Sequence, residues 1–184
     1  MNLKHLMIDR SWTLFLDRDG VINHRIVDDY VKTWEQFEFL PGSLEAMPLF
    51  RQRFGRIIVV SNQQGVGKGL MSDNQVAAIH LQMAEEIRKA GGRVDAVFYS
   101  PHLQSDRSFM RKPNIGMALK ARKQFPEIRF SKSVMAGDSI SDMFFGKRAG
   151  MKTVLISTDS KPAQLYPRQI DYVFPDLISL ANAL

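Results

Sequence analysis

Short runs of β-branched and aromatic residues alternate with stretches of helical periodicity, and this alternation narrows the available folds more than any other feature of the chain. The runs are Trp12 to Leu16, Ile57 to Val60, Val94 to Tyr99, Ser133 to Ala136, Thr153 to Ile156 and Asp171 to Phe174. Strands separated by helices form βα units and pair in parallel, because each crossover helix returns the chain to the same end of the sheet. The expected fold is α/β, a three-layer αβα sandwich around a central parallel sheet. Between the second and third runs, Ser72 to Gln75 reads as a capping box, and Val76, Ile79, His80, Met83 and Ile87 recur at helical spacing up to Ala90, with Gly91 as the stop. His80 lies on this apolar face and reads as a packed structural histidine. Helical spacing also covers Ser43 to Phe54 and Ile115 to Phe125, and Ser141 is expected to cap a helix that runs through Arg148 and stops at Gly150. Pro48 removes a backbone donor inside the first of these helices and is expected to bend it near Leu44. Thr158 to Arg168 reads as a surface loop.

A length of 184 residues, 45% of them hydrophobic, suits one large core, so a single domain spanning 1–184 is expected. No charged start followed by an apolar run marks a signal peptide, and no apolar stretch approaches the roughly 18 residues that a membrane span requires. The sequence contains no cysteine, which excludes disulfides and thiolate metal ligands and is compatible with a reducing compartment. A cytoplasmic protein with no membrane partner is expected. The net charge is +6, but Arg51, Arg53, Arg56, Lys120, Arg122 and Lys123 are scattered along helical stretches without interleaved aromatic residues. They read as a solvated surface and not as a nucleic-acid footprint. No feature marks a symmetric interface, so a monomer is the default.

The chemistry concentrates at the ends of strands. The first run ends in Asp17-Arg18-Asp19-Gly20, the second in Ser61-Asn62-Gln63, and the fourth in Gly137-Asp138-Ser139-Ile140-Ser141-Asp142; Arg111-Lys112-Pro113 follows the third after a loop. The carboxyl edge of an open parallel sheet is where such folds bind ligands. An Asp-x-Asp after one strand is commonly a turn, and a Gly-Asp commonly caps a helix. Carboxylate pair, serine, lysine and Gly-Asp-x-x-x-Asp, each following a successive strand, form a set that points to catalysis. Gly65-Val66-Gly67-Lys68-Gly69 does not fit the nucleotide-binding loop, since Gly follows Lys where Ser or Thr is required, and reads as a flexible loop beside the site.

In these motifs the chain resembles the haloacid dehalogenase superfamily of phosphatases, and the likeness covers nearly its whole length. The stretches LDRDGVIN, VVSNQQGVGKG, YSPH, RKPNIGMAL and AGDSISDM resemble the branch of heptose-bisphosphate and histidinol-phosphate phosphatases, with the heptose group the nearer. The resemblance implies the Rossmann-like fold of that superfamily without a separate cap domain, and hydrolysis of a small sugar phosphate, a heptose 1,7-bisphosphate at its 7-phosphate. It implies Asp17 as nucleophile, Asp19 as acid and then base, Ser61 and Lys112 on the phosphoryl group, and magnesium on Asp17, the carbonyl of Asp19 and Asp138. Asp142 is expected to orient metal-bound water or Ser139 from behind these ligands. Aspartate at position 19, where related ion pumps carry threonine, favours phosphoester hydrolysis. Asn62, Gln63, Gln64, Arg111 and Ser139, with Asp28, Asp29 and Tyr30 in the flap after the first motif, are the candidate substrate contacts. Arg111 offers a planar fork to a second phosphate or a sugar oxygen.

Two departures from the pattern stand out. Relatives bind zinc in the loop before Arg111 through cysteines and a histidine, whereas this chain has Ser100 at the first cysteine position and keeps only His102, so zinc is not expected. Ser139 stands where relatives often carry lysine. The alternatives left open are histidinol phosphate, a polynucleotide 3′-phosphate and, outside enzymes, a degenerate phosphate-binding interaction protein.

Overall fold

A computed structural model describes residues 3–184. Its strands are β1 (Thr13–Leu16), β2 (Arg56–Asn62), β3 (Ala96–Ser100), β4 (Ser133–Gly137), β5 (Lys152–Ile156) and β6 (Tyr172–Phe174). Its helices are α1 (Ser43–Arg53), α2 (Gln64–Gly67), α3 (Asp73–Lys89), α4 (Gly116–Gln124), α5 (Ile140–Ala149), α6 (Lys161–Leu165) and α7 (Leu177–Asn182). All strands pair in parallel in the order β3-β2-β1-β4-β5-β6. The expected α/β sandwich is what forms.

A parallel sheet is covered on both faces, so its strands are apolar throughout. All of β1 is buried. Because successive side chains point to opposite faces, Leu14 and Leu16 join Ile57 and Val59 in a core with α1, α3 and α7, while Phe15 joins Ile58, Val60 and Met135 in a core with α4 and α5. The capping box at Ser72 and Gln75 is present, and α3 buries the five residues whose spacing marked its inner face. Helix α1 runs through Pro48.

Several boundaries differ from expectation. The third strand begins at Ala96 and extends to Ser100, and the sixth begins at Tyr172. Ser139, not Ser141, caps α5: its backbone is extended, its hydroxyl accepts from the Asp142 amide, and Asp142 Oδ2 accepts from the Ser139 amide at 3.0 Å, whereas Ser141 already lies within the helix. Part of the stretch read as a surface loop forms α6, the glycine-rich loop after β2 includes the single turn α2, and α7 lacked a sequence expectation. Among the described residues, no helix is long and apolar enough to cross a membrane.

Candidate active site

The strand order reverses direction between β1 and β4, and the crevice outside the carboxyl ends of those two strands is the switch point where doubly wound folds bind ligands. Leu16 pairs with Ala136, and the Asp17 amide donates to the Ala136 carbonyl at 3.0 Å, so Asp17 and Asp138 leave adjacent strands side by side. Glycine at position 20 is required there. Its φ of 85° suits a residue without Cβ, and a Cβ would strike the Asp138 carboxylate.

Lys112 joins the motifs. Its ammonium is 2.8 Å from Asp17 Oδ1 and 2.6 Å from Asp142 Oδ1, and it donates to the Val60 carbonyl at 2.8 Å, so its buried charge is met by two carboxylates and a carbonyl. Asn62 fixes the segment that carries it: the Asn62 amide donates to the Lys112 carbonyl at 3.1 Å and accepts from the Lys112 amide at 3.0 Å. Burial pushes the Asp17 carboxyl up to about 7, with the charges of Asp142 and Asp138 adding to the shift and Lys112 opposing it. Burial likewise raises Asp138, to about 6, against the attraction of Arg25. For Lys112 burial acts downward, but Asp142 and Asp17 outweigh it and hold the ammonium above its usual range.

Asp19 sits in a separate web of donors. Arg18 Nε and Nη2 reach its Oδ1 at 3.2 and 2.8 Å, Asn23 Nδ2 reaches the same oxygen at 3.0 Å, and Gln63 Nε2 reaches Oδ2 at 2.7 Å. Burial would raise Asp19, yet Arg18, Asn23 and Gln63 together keep it below the ordinary carboxylate value. Gln63 also donates to Ser61 Oγ at 2.8 Å, so it serves Asp19 and Ser61 instead of facing the cavity.

A cavity of about 410 Å³ opens over these groups and is lined by Asp17, Asp19, Ser61 and Lys112. Of the other candidates, Asn62, Gln64, Arg111, Ser139, Asp28, Asp29 and Tyr30 border it as well. Asp29 is tied to Lys32 at 2.8 Å, and Arg111 Nη1 donates to the His102 carbonyl at 3.0 Å.

Two basic residues on the wall were not among the candidates for the site, Arg25 and Lys68. Lys68 lay in a segment read only as a loop, and its ammonium stands 5.4 Å above the Tyr30 ring. Arg25 falls in the irregular flap, where no spacing rule applies. Its Nη2 donates to Asp138 Oδ1 at 2.8 Å and to the Asp19 carbonyl at 3.1 Å.

Arg25 thus lies against oxygens expected to hold a metal. Carboxylate oxygens of Asp17, Asp138 and Asp142 lie within 4.8 Å of one another, a hard, all-oxygen set suited to magnesium. Since Lys112 and Ser139 engage Asp142, the donors left for an ion are Asp17, Asp138 and the Asp19 carbonyl.

A doubly wound sheet with carboxylates and a buried lysine converging at its switch point has the layout of a phosphoryl-transfer hydrolase. The HAD-hydrolase-like family model matches residues 109–180. D-glycero-beta-D-manno-heptose-1,7-bisphosphate 7-phosphatase of Pasteurella multocida is 33% identical over 178 residues, covering 93% of this chain and 95% of its own. D-glycero-alpha-D-manno-heptose-1,7-bisphosphate 7-phosphatase of Mycobacterium tuberculosis H37Rv is 44% identical over 133 residues, covering 72% of this chain and 70% of its own. The crystal structure of the D,D-heptose 1,7-bisphosphate phosphatase from B. bronchiseptica, complexed with magnesium and phosphate, superposes with a TM-score of 0.82 at 30% identity over 93% of this chain and 96% of that one. The chain belongs to the haloacid dehalogenase-like phosphatases, in the family of the heptose-1,7-bisphosphate 7-phosphatases.

Proposed function

We propose that this enzyme removes the 7-phosphate of D-glycero-D-manno-heptose 1,7-bisphosphate by way of an aspartyl-phosphate on Asp17. The observation that carries the reading is the buried Asp17–Lys112–Asp142 group at the floor of a cavity whose wall bears Arg111 and Lys68. A bisphosphate needs two anion sites, one reactive and one merely binding, and this cavity offers cations for both.

Asp19 is a carboxylate in the free enzyme, and the negative charge of the bound phosphate raises its proton affinity so that it takes up a proton as substrate binds. An Asp17 oxygen then attacks phosphorus, the bond to the sugar oxygen breaks, and that oxygen leaves with the proton from Asp19. Asp19, now a carboxylate, takes a proton from water, which attacks the phosphorus; the bond to Asp17 breaks and inorganic phosphate is released. Repulsion between the phosphate and a carboxylate is about 4 kcal/mol per charge pair at about 4 Å and an effective dielectric near 20. Lys112 offsets part of it, and Ser61 donates a hydrogen bond to a phosphoryl oxygen. Magnesium held by Asp17, Asp138 and the Asp19 carbonyl would supply the remaining positive charge. Asp142 keeps Lys112 and Ser139 in place. Since a chain without cysteine suits a reducing compartment, the reading is of a cytoplasmic enzyme, taken as a monomer.

The test is phosphate release from heptose 1,7-bisphosphate, histidinol phosphate and a 3′-phosphorylated oligonucleotide, each with magnesium or with chelator. The expected result is magnesium-dependent release of one equivalent from the heptose, with phosphorus NMR showing that the 1-phosphate survives. Equal, low release from all three would overturn the assignment.

A further inference from the structure

Arg18 is a fully buried side chain, and the reaction as described gives it no role. Strand alternation points it away from the cavity, between Asp17 and Asp19, into the layer beneath α3. Its Nε and Nη2 hold Asp19 Oδ1, while its Nη1 meets Nε2 of His80 at 3.1 Å. A guanidinium only donates, so the His80 nitrogen must accept, which makes the ring neutral with its proton on Nδ1. Burial and the charge of Arg18 both act in that direction, bringing His80 down to about 3. His80 is itself fixed in α3, 6% exposed and packed edge-on against Tyr99 at 5.6 Å.

We infer that His80 and Arg18 form a positioning clamp for the proton-donating carboxyl of Asp19. The inference rests on the reading of Asp19 as the acid. His80 orients Arg18, and Arg18 together with Asn23 supplies every donor on Asp19 Oδ1. A proton that Asp19 takes up against the bound phosphate is thereby confined to Oδ2, on which only Gln63 donates, and Asp19 borders the cavity. A carboxyl free to rotate would present either oxygen, and only one of them delivers a proton to the departing alkoxide.

The consequence is selective for the leaving group. A primary alkoxide needs its proton as the bond to phosphorus breaks, whereas p-nitrophenolate is stable without one. His80→Leu removes the acceptor, and His80→Gln places an amide oxygen near the same position. For the best primary alkyl phosphate of the panel above, His80→Leu should lower kcat/KM, which reports the steps up to departure of the leaving group and not the hydrolysis of the aspartyl-phosphate that both esters share, by about 10- to 100-fold, a part of the contribution general acids make. On p-nitrophenyl phosphate the same preparation should lose no more than about threefold, and His80→Gln should restore most of the alkyl-ester rate. The ratio of the two rates does not depend on the folded fraction. Arg18→Lys, which keeps the charge but loses the fork, should shift that ratio the same way and stands in if His80→Leu does not fold. Equal losses on both esters, no loss on either, or no rescue by glutamine would overturn the clamp. Asp19→Asn is run in parallel: if it too fails to discriminate between the esters, the role of Asp19 as acid falls first, and if it discriminates while the His80 and Arg18 variants do not, only the clamp falls.

Discussion

Replacing Lys112 with methionine should cost stability as well as activity, and the loss can be sized from the geometry. The ammonium is 2.8 Å from Asp17 and 2.6 Å from Asp142, and the Lys112 and Asp142 side chains are 1% and 0% exposed. Methionine keeps much of the stem's volume, so packing changes little; what disappears is the cation between two buried carboxylates. Removing one member of a buried ion pair costs about 3–5 kcal/mol, a large share of the roughly 5–15 kcal/mol that holds a domain folded. With a urea m-value of about 2 kcal/mol/M, the unfolding midpoint should drop by about 1.5–2.5 M. Asp142→Asn in the same chain removes one stranded charge, so the two changes should couple by about 1–3 kcal/mol in the favourable direction. The assay is urea unfolding followed by fluorescence of Trp12 and Trp34, near neutral pH and in chelator so that no metal substitutes for the lost charge. A midpoint within about 0.3 M of the wild type, or strict additivity with Asp142→Asn, would refute the view of Lys112 as the counter-ion of this group.

Three further outcomes are expected. The folded, metal-free protein keeps protons on Asp17 and Asp138 up to about 7 and about 6, whereas the unfolded chain releases its carboxyl protons near 4. His80, neutral when folded, acts in the opposite sense over this range, but the two carboxyls together outweigh it, so the melting temperature in chelator should fall as pH rises from about 4 to 7, and magnesium should reverse the fall with an affinity that grows with pH; a melting temperature that climbs across this range in chelator would contradict the assignment. Arg25→Gln frees Asp138 and the Asp19 carbonyl from a half-exposed guanidinium; an exposed pair is worth about 0.2–1 kcal/mol, so calorimetry should show magnesium binding up to about fivefold tighter, and weaker binding would show that Arg25 does not compete. Gly20→Ala should cost at least about 1 kcal/mol for the positive φ and, by displacing Asp138, weaken magnesium binding more than tenfold; wild-type magnesium affinity in this variant would mean that Asp138 does not need its present position.

Much of this was legible in the chain because the signals are local. Apolar runs such as Leu14 to Leu16 lead directly into polar ends, and α3 announces itself through the Ser72 cap and a single apolar face. The short helices α2 and α6 were not, since an element of four or five residues is too brief to show a period. The cap of α5 was within reach: Ser139-x-x-Asp142 has capping-box spacing, and choosing Ser141 overlooked the reciprocal partner three residues on. The site divides in the same way. Asp17, Asp19, Ser61, Lys112 and Asp138 follow strands and could be named, while the roles of Arg18 and His80 depend on a contact between residues 62 positions apart. Arg25 lies in a flap without periodicity, and its meeting with Asp138 spans 113 positions.

The two hydrogen bonds between Asn62 and the backbone of Lys112 separate the reactive lysine from the loop that delivers it. With the far end of that loop pinned to the sheet, residues 101–110 do not carry the alignment of Lys112 with Asp17 alone. Such a segment has room to vary in length and side chains while Asn62 still holds the backbone of Lys112. For an engineer it is an exchangeable cassette, the place to graft a new substrate preference onto this chain.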